Sequence, residues 1–224
     1  MTISVIIPTY NEAACIAQAL GALAALPGEW EVLVVDGGSE DDTVRIARAA
    51  GARVVQGPRG RGVQMNHGAA LARGDVLLFL HADTRLPRDA HAAIRAACAD
   101  PALGGGCFRL RFDQDRWALR LMSAVTRLPF RLLHYGDAAY FARAEVFRAL
   151  GGYRPYPIME DIDFWLRMRR AGPVRVLPDW VVTSARRFAR NGVVRQELVN
   201  IALVILFLLG VSPLRLKRLY EEVR

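Results

Sequence analysis

The chain has 224 residues, 53% hydrophobic and 23% charged, with a formal charge of +8 at pH 7. That is room for one sizeable core or at most two small domains, and it excludes a disordered chain. Of the 30 basic residues 29 are arginine, Lys217 being the single lysine; such an excess suits a diphosphate, a nucleic acid or an anionic membrane and by itself selects none of them.

Ile3 to Pro8 is a short β-branched run and reads as a buried strand. Glu12 to Leu26 is rich in Ala and Leu, stops at Pro27-Gly28, and predicts a helix. Glu31 to Val35 predicts a second strand, closing on Asp36-Gly37-Gly38-Ser39. Asp41-Asp42-Thr43 starts a helix that runs through Ala50 and stops at Gly51. Arg53 to Gln56 reads as a third strand, Gln64 to Arg73 as a helix, and Val76 to Leu80 as a fourth strand that ends on His81-Ala82-Asp83. Strand–helix alternation with short connections implies βαβ units and a mainly parallel sheet.

Beyond that point the pattern loosens. Gly104 to Phe112 and Ala138 to Ala142 read as strands. Arg116 to Leu133, Ala144 to Leu150 and Glu160 to Arg170 read as helices. Leu198 to Val211 is apolar except for Asn200, with Arg195 before it and Arg215, Lys217 and Arg218 after it. Fourteen residues fall short of the ~20 that cross a bilayer. Three placements stay open: a core or dimer helix, a helix in the membrane interface, or, least expected, a span. We expect residues 1–190 to form the main domain and 191–224 a helical extension packed on it, at a dimer interface or on a membrane surface.

Cys15, Cys98 and Cys107 form no C-x-x-C pair and imply neither a disulfide framework nor a zinc site. The opening MTISVIIPTY lacks a basic stretch and a long apolar stretch, so no export signal is expected. The expected location is the cytoplasm, with a peripheral contact to the inner face of the cell membrane left open.

In a parallel α/β sheet the ligand sits beyond the carboxyl ends of the strands. Three of those ends carry polar clusters: Thr9-Tyr10-Asn11-Glu12, Asp36-Gly37-Gly38-Ser39 and His81-Ala82-Asp83. One such cluster is explained by solvation alone; three together point to a site. Tyr10 offers a flat face for a base, and Glu12 and Asp36 are acceptors suited to base N–H groups or ribose hydroxyls.

The ordered set Ile6-Ile7-Pro8-Thr9-Tyr10-Asn11-Glu12, Val35-Asp36-Gly37-Gly38-Ser39, His81-Ala82-Asp83 and Glu160-Asp161 resembles the family 2 glycosyltransferases of GT-A fold, over roughly residues 3–190. The stretch Gly60-Arg61-Gly62-Val63-Gln64-Met65-Asn66 with Gly74-Asp75 is similar to a small bacterial single-domain subfamily linked to arsenosugar biosynthesis. The resemblance implies an inverting transferase that uses a nucleotide-diphosphate sugar, a UDP-sugar first among them, with a divalent ion, Mn²⁺ or Mg²⁺. It implies donor contacts at Pro8, Tyr10, Glu12 and Asp36, and a metal ligand at Asp83. His81 stands where the family has the first acid of a D-x-D pair, and imidazole is a poor Mg²⁺ ligand but tolerable for Mn²⁺. The resemblance implies Asp161 as the base that takes the acceptor's proton, with Glu160 supporting it. It also implies a donor-sugar or acceptor contact at Asp137, although Ala138 replaces the family's usual Gln. Arg59 and Arg61 in a Gly-rich loop, and the pair Arg186-Arg187, are candidates for the diphosphate, with Arg61 and Arg187 preferred. The acceptor is not specified. A nucleotidyltransferase usually opens with a basic Gly-rich loop where this chain has Pro8-Thr9-Tyr10-Asn11-Glu12; an inactive membrane- or partner-binding descendant is the other alternative. No nucleic-acid module is recognisable.

Overall fold

The computed structural model describes residues 1–114, 136–186 and 193–220. The helix expected over Arg116–Leu133 and the side chain of Arg187 lie outside the described residues. The first half alternates as expected: β1 (Ile3–Thr9), α1 (Ala13–Ala24), β2 (Trp30–Asp36), α2 (Thr43–Ala49), β3 (Arg53–Gln56), α3 (Arg61–Leu71) and β4 (Val76–Phe79). Then come β5 (Thr84–Arg85), α4 (Ala90–Ala97), β6 (Gly105–Phe112), a 3-10 turn at Gly136–Ala138, β7 (Phe141–Arg143) and α5 (Ala144–Ala149). The described chain closes with α6 (Glu160–Ala171), β8 (Val174–Thr183), α7 (Val193–Leu208) and α8 (Pro213–Leu219).

The strands form one sheet in the order β3-β2-β1-β4-β7-β6-β8-β5. Strands β3, β2, β1 and β4 are parallel, as the sequence implies. β7 then runs antiparallel to both β4 and β6, while β6 and β8 pair in parallel, so the complete sheet is mixed. β5, α4 and β8 have no counterpart in the sequence reading. β8 holds Pro178, and a proline inside a strand removes a ladder donor. The register steps there from Phe108↔Leu177 to Arg109↔Trp180, which leaves Pro178 and Asp179 as the irregular residues.

The period-2 alternation of side chains sorts the strands onto two cores. Ile3, Val5, Ile7, Val34, Val76 and Leu78 face α1, α2 and α4. Ile6, Leu33, Val35, Leu77 and Phe79 face α3, α5 and α6. Gly68 lets α3 lie close on the sheet, since a Cβ there would stand 2.5 Å from Ile6 Cγ2. A third, smaller core joins Ile158, Met159 and Ile162 to Leu203, Val204 and Leu216 of the C-terminal helices. These contacts set α7 and α8 against the start of α6. Among the described residues no helix is long and apolar enough to cross a membrane.

The chain runs β1, β2, β3 outward and then returns to place β4 on the other side of β1. Loops leaving β1 and β4 therefore diverge, and a crevice opens between them at the carboxyl end of the sheet.

Candidate active site

The loops after β1 and β2 are tied to each other. Asn11, at φ 53, accepts at Oδ1 from the Glu40 N–H (2.9 Å), and its own N–H donates to Ser39 Oγ (2.9 Å). The Glu12 N–H donates to Thr43 Oγ1 (2.8 Å) and the Ala13 N–H to Asp41 Oδ2 (3.1 Å). The otherwise unpaired N–H groups that start α1 are thus satisfied by side chains that start α2. Asp36 is fully buried. Its carboxylate accepts from the Gly38 and Ser39 N–H groups (both 2.9 Å) and from Ser39 Oγ (2.5 Å). Gln64 joins both strand ends, donating from Nε2 to the carbonyls of Thr9 (2.8 Å) and Val35 (2.7 Å).

β4 delivers His81 and Asp83. His81 Nδ1 lies 2.7 Å from Asp137 Oδ1, from the 3-10 turn. Burial works against the charged ring, but the Asp137 carboxylate outweighs it and holds the His81 pKa above its ordinary value. The ring therefore donates through Nδ1 and carries positive charge more readily than a free histidine. Asp83 Oδ2 accepts from Arg186 Nη2 at 3.0 Å, and Glu12 Oε2 lies 3.4 Å from the same nitrogen. Burial raises the Glu12 pKa against the opposing pull of Arg186. One guanidinium thus sits between two carboxylates from different strand ends. Arg59 lies over the Tyr10 ring, 3.9 Å from its centroid, within cation–π range.

The acids of α6 arrive from the other side. Met159 takes a left-handed backbone (φ 68) immediately before Glu160, a conformation that strains a non-glycine residue. Glu160 is 1% exposed and Asp161 8%. Glu160 Oε1 pairs with Arg61 Nε, and its Oε2 is buried with no hydrogen-bond partner among the described residues. Burial disfavours the Arg61 charge, but Glu160 and Asp161 together hold its pKa above the ordinary range. The Ile162 N–H donates to Asp161 Oδ1 (2.8 Å), fixing that carboxylate at the helix start. Asp163 turns away and pairs with Arg167 (2.7 Å) and Arg154 (3.1 Å).

These groups border one cleft of about 830 Å³. Of the residues singled out in the sequence, Pro8, Tyr10, Glu12, Arg61, Asp83, Asp137 and Asp161 line it. Asp36 and Glu160 do not; each stands behind the wall and holds a lining segment in place. Sequence reasoning did not assign Arg59 its place on Tyr10, and it preferred Arg187 to Arg186, the arginine that meets Glu12 and Asp83. Glu197, Asn200, Lys217 and Tyr220 were also missed; they bring the C-terminal helices to the cleft rim. Only the apolar pattern of 198–211 hinted at them.

A mixed α/β sheet with acids converging at its carboxyl end places a ligand cleft there. Residues 4–165 match the Glycosyl transferase family 2 model, and the chain belongs to that family. It is similar to a PGL/p-HBAD biosynthesis glycosyltransferase of Mycobacterium bovis, with 35% identity over 177 residues, 73% of this chain and 68% of that one. Its fold is similar to that of the mannosyltransferase PcManGT from Pyrobaculum calidifontis, solved in complex with GDP-Man and Mn²⁺. The TM-score is 0.70 at 23% identity, over 94% of this chain and 65% of that one. S. aureus TarS 1-349 in complex with UDP-GlcNAc gives TM-score 0.70 at 23% identity, over 83% and 59%. At these identities the solved structures speak for the fold. The chain spans 68% of the length of the Mycobacterium bovis transferase and 64% of a second mycobacterial relative.

Proposed function

We propose that this chain moves a sugar from a nucleotide-diphosphate sugar to an acceptor hydroxyl, with inversion at the anomeric carbon. One observation carries the reading: Glu12, Asp83, Asp137 and Asp161, from four separate segments, border one cleft with Arg59 and Arg186. An uncharged ligand gives no reason to gather so many charges of both signs; a nucleoside diphosphate and a hydroxyl nucleophile do. The solved relatives bound to UDP-GlcNAc and GDP-Man make those nucleotides the first to test, UDP-sugars before GDP-sugars.

Tyr10 presents the flat face that a nucleobase would take, releasing Arg59 toward the diphosphate. Arg186 would leave Glu12 and Asp83 for the same phosphate oxygens. Asp36 supports this end by fixing the Gly38–Ser39 backbone. Asp161 is the group that accepts the proton of the attacking hydroxyl. Glu160 holds it there by anchoring the start of α6 to Arg61. Among the described residues the other carboxylates of the cleft are engaged, Glu12 and Asp83 by Arg186 and Asp137 by His81, which favours a single displacement. Asp137 fixes His81 and faces the space for the transferred sugar or the acceptor.

The residues fit a divalent ion. Asp83 and Glu12 oxygens already converge on one cationic nitrogen, and Mg²⁺ or Mn²⁺ is commonly held by one or two carboxylates plus substrate phosphates. Bound there, the ion would act as a Lewis acid toward the departing diphosphate. His81 Nδ1 is engaged by Asp137, which fixes the ring, and the donor set drawn here is Asp83 and Glu12. The likeness to arsenosugar-linked transferases rests on Gly60 to Asn66. Gln64 holds two strand ends and Asn66 holds the Tyr153 backbone, so that stretch does not name the acceptor.

The test is thermal melting with UDP, GDP and CDP, each with Mn²⁺, Mg²⁺ or a chelator. A nucleotide at about 100 times its Kd stabilises the fold by about 2.7 kcal/mol. Melting temperatures unmoved by every combination would remove the basis for a donor site.

A further inference from the structure

From Leu198 onward α7 is apolar but for Asn200, and among the described residues only one side of it is covered. Leu203 and Val204 are buried in the third core, with Val199, Leu206 and Phe207 packed against it. The opposite side carries Leu198, Ile201, Ile205, Leu208 and Leu209, exposed by 36% to 76%. The spacing puts Leu198, Ile201, Ile205 and Leu208 on one face, about 15 Å long at 1.5 Å per residue. A solvent-facing helix side of this length normally carries charge. Here Leu214 and Leu219 of α8 extend the apolar surface, exposed by 71% and 62%.

The surround is basic. Arg195 stands at one end of α7, and Arg215 and Arg218 are exposed on α8 beside Lys217. The one acid in the described part of this helix pair is Glu197, half-buried at the cleft rim, where it accepts from Asn200. A twofold pairing of this face with a second copy would set these cations against their own images. An anionic lipid surface meets both parts: the leucines and isoleucines enter the acyl boundary while the arginines lie among headgroups.

We propose that the exposed face of α7 and α8 is a docking surface for anionic lipid, the helices lying in the plane of the membrane. The inference does not depend on the reaction proposed above. Leu214, Lys217 and Tyr220 belong to the cleft wall, so docking sets the cleft mouth at headgroup level.

The experiment is co-sedimentation of the full chain with phosphatidylcholine vesicles, with and without phosphatidylglycerol, at low and high ionic strength. The wild type should pellet with the phosphatidylglycerol vesicles at low ionic strength and be released at high. Arg215→Gln and Arg218→Gln should each weaken partitioning about fivefold, the equivalent of one surface cation. The double variant Ile205→Glu/Leu209→Glu should abolish it with an unchanged melting temperature, since both side chains are exposed. A wild type that stays in the supernatant, or that binds phosphatidylcholine alone equally well, overturns the proposal. So does a lipid-free dimer in sedimentation equilibrium that Ile205→Glu/Leu209→Glu converts to monomer, because the face then belongs to a second copy.

Discussion

The two halves of the sheet position their acids by different means. In the first half Asp36 and Asp41 are held largely by residues close to them in the chain, Asp36 by Gly38 and Ser39 and Asp41 by Thr43. In the second half the acids depend on contacts across the fold. Glu160 is anchored by Arg61 from α3, and Asp137 by His81 from the end of β4. Gly62 reinforces the first of these, since a Cβ there would meet Glu160 Cγ at 3.1 Å. Asp36 is therefore fixed within its own turn, whereas Asp161, the proposed base, reaches the cleft only once α6 has docked on α3.

The Arg61–Glu160 pair is where this difference is most easily broken. Arg61→Ala leaves a buried carboxylate without its cation, which should cost about 3 kcal/mol, the lower end of the range because Arg61 itself is partly exposed. Urea unfolding measures the loss. Transfer should fall further than nucleotide affinity does, because the start of α6 loosens while the donor loops stay intact.

Asp36→Ala is the matching change in the first half. It should lower stability by about 2 kcal/mol by removing the acceptor for two backbone N–H groups and a hydroxyl. Melting should drop before affinity for nucleotide does. The reverse, with lost affinity and unchanged melting, would make Asp36 a direct grip on the nucleotide.

Glu31 gives the smallest effect and a pH signature confined to the first half. Burial opposes its charge, but bonds from Ser4 Oγ (2.5 Å) and the Arg73 N–H (2.8 Å) outweigh it and hold the carboxyl below its ordinary 4.5. A depressed folded value means stabilisation that is full above the unfolded pKa and lost as pH falls through the folded one. Glu31→Gln should cost about 1 kcal/mol at neutral pH, with the gap to wild type closing as the solution is acidified below the ordinary carboxylate range. Chemical unfolding of both proteins along a pH series checks the closure.

The same contrast governs what the sequence revealed. β1, β2 and β4 were legible because Ile3, Val5, Ile6, Ile7, Val34, Leu77 and Leu78 form short apolar runs buried on both faces. The clusters after β1 and β4 border the cleft, and the ordered motifs identified the family. β8 was missed because Pro178 and Asp179 interrupt it at a register shift, and α4 because its eight residues hold one large apolar side chain, Ile94, and so show no helical period. Sequence alone assigned Asp36 to the ligand, Arg61 to the diphosphate and His81 beside a metal. The structure gives each of them a protein partner as well: Gly38 and Ser39, Glu160, and Asp137. Those partners are tertiary or lie in a turn whose geometry no periodicity encodes.

We propose Asp161 as the base of this cleft, with Glu160 behind it as an anchor. The most direct measurement is nucleotide release from a UDP-sugar, with acceptor or with water in its place, by wild type, Asp161→Asn and Glu160→Gln, beside the nucleotide-induced melting shift of each. The account predicts that Asp161→Asn keeps the wild-type shift while turnover falls about 10²- to 10⁴-fold, the usual contribution of a positioned base. Glu160→Gln should lose less turnover and more stability. An Asp161→Asn enzyme that turns over at the wild-type rate would contradict the assignment.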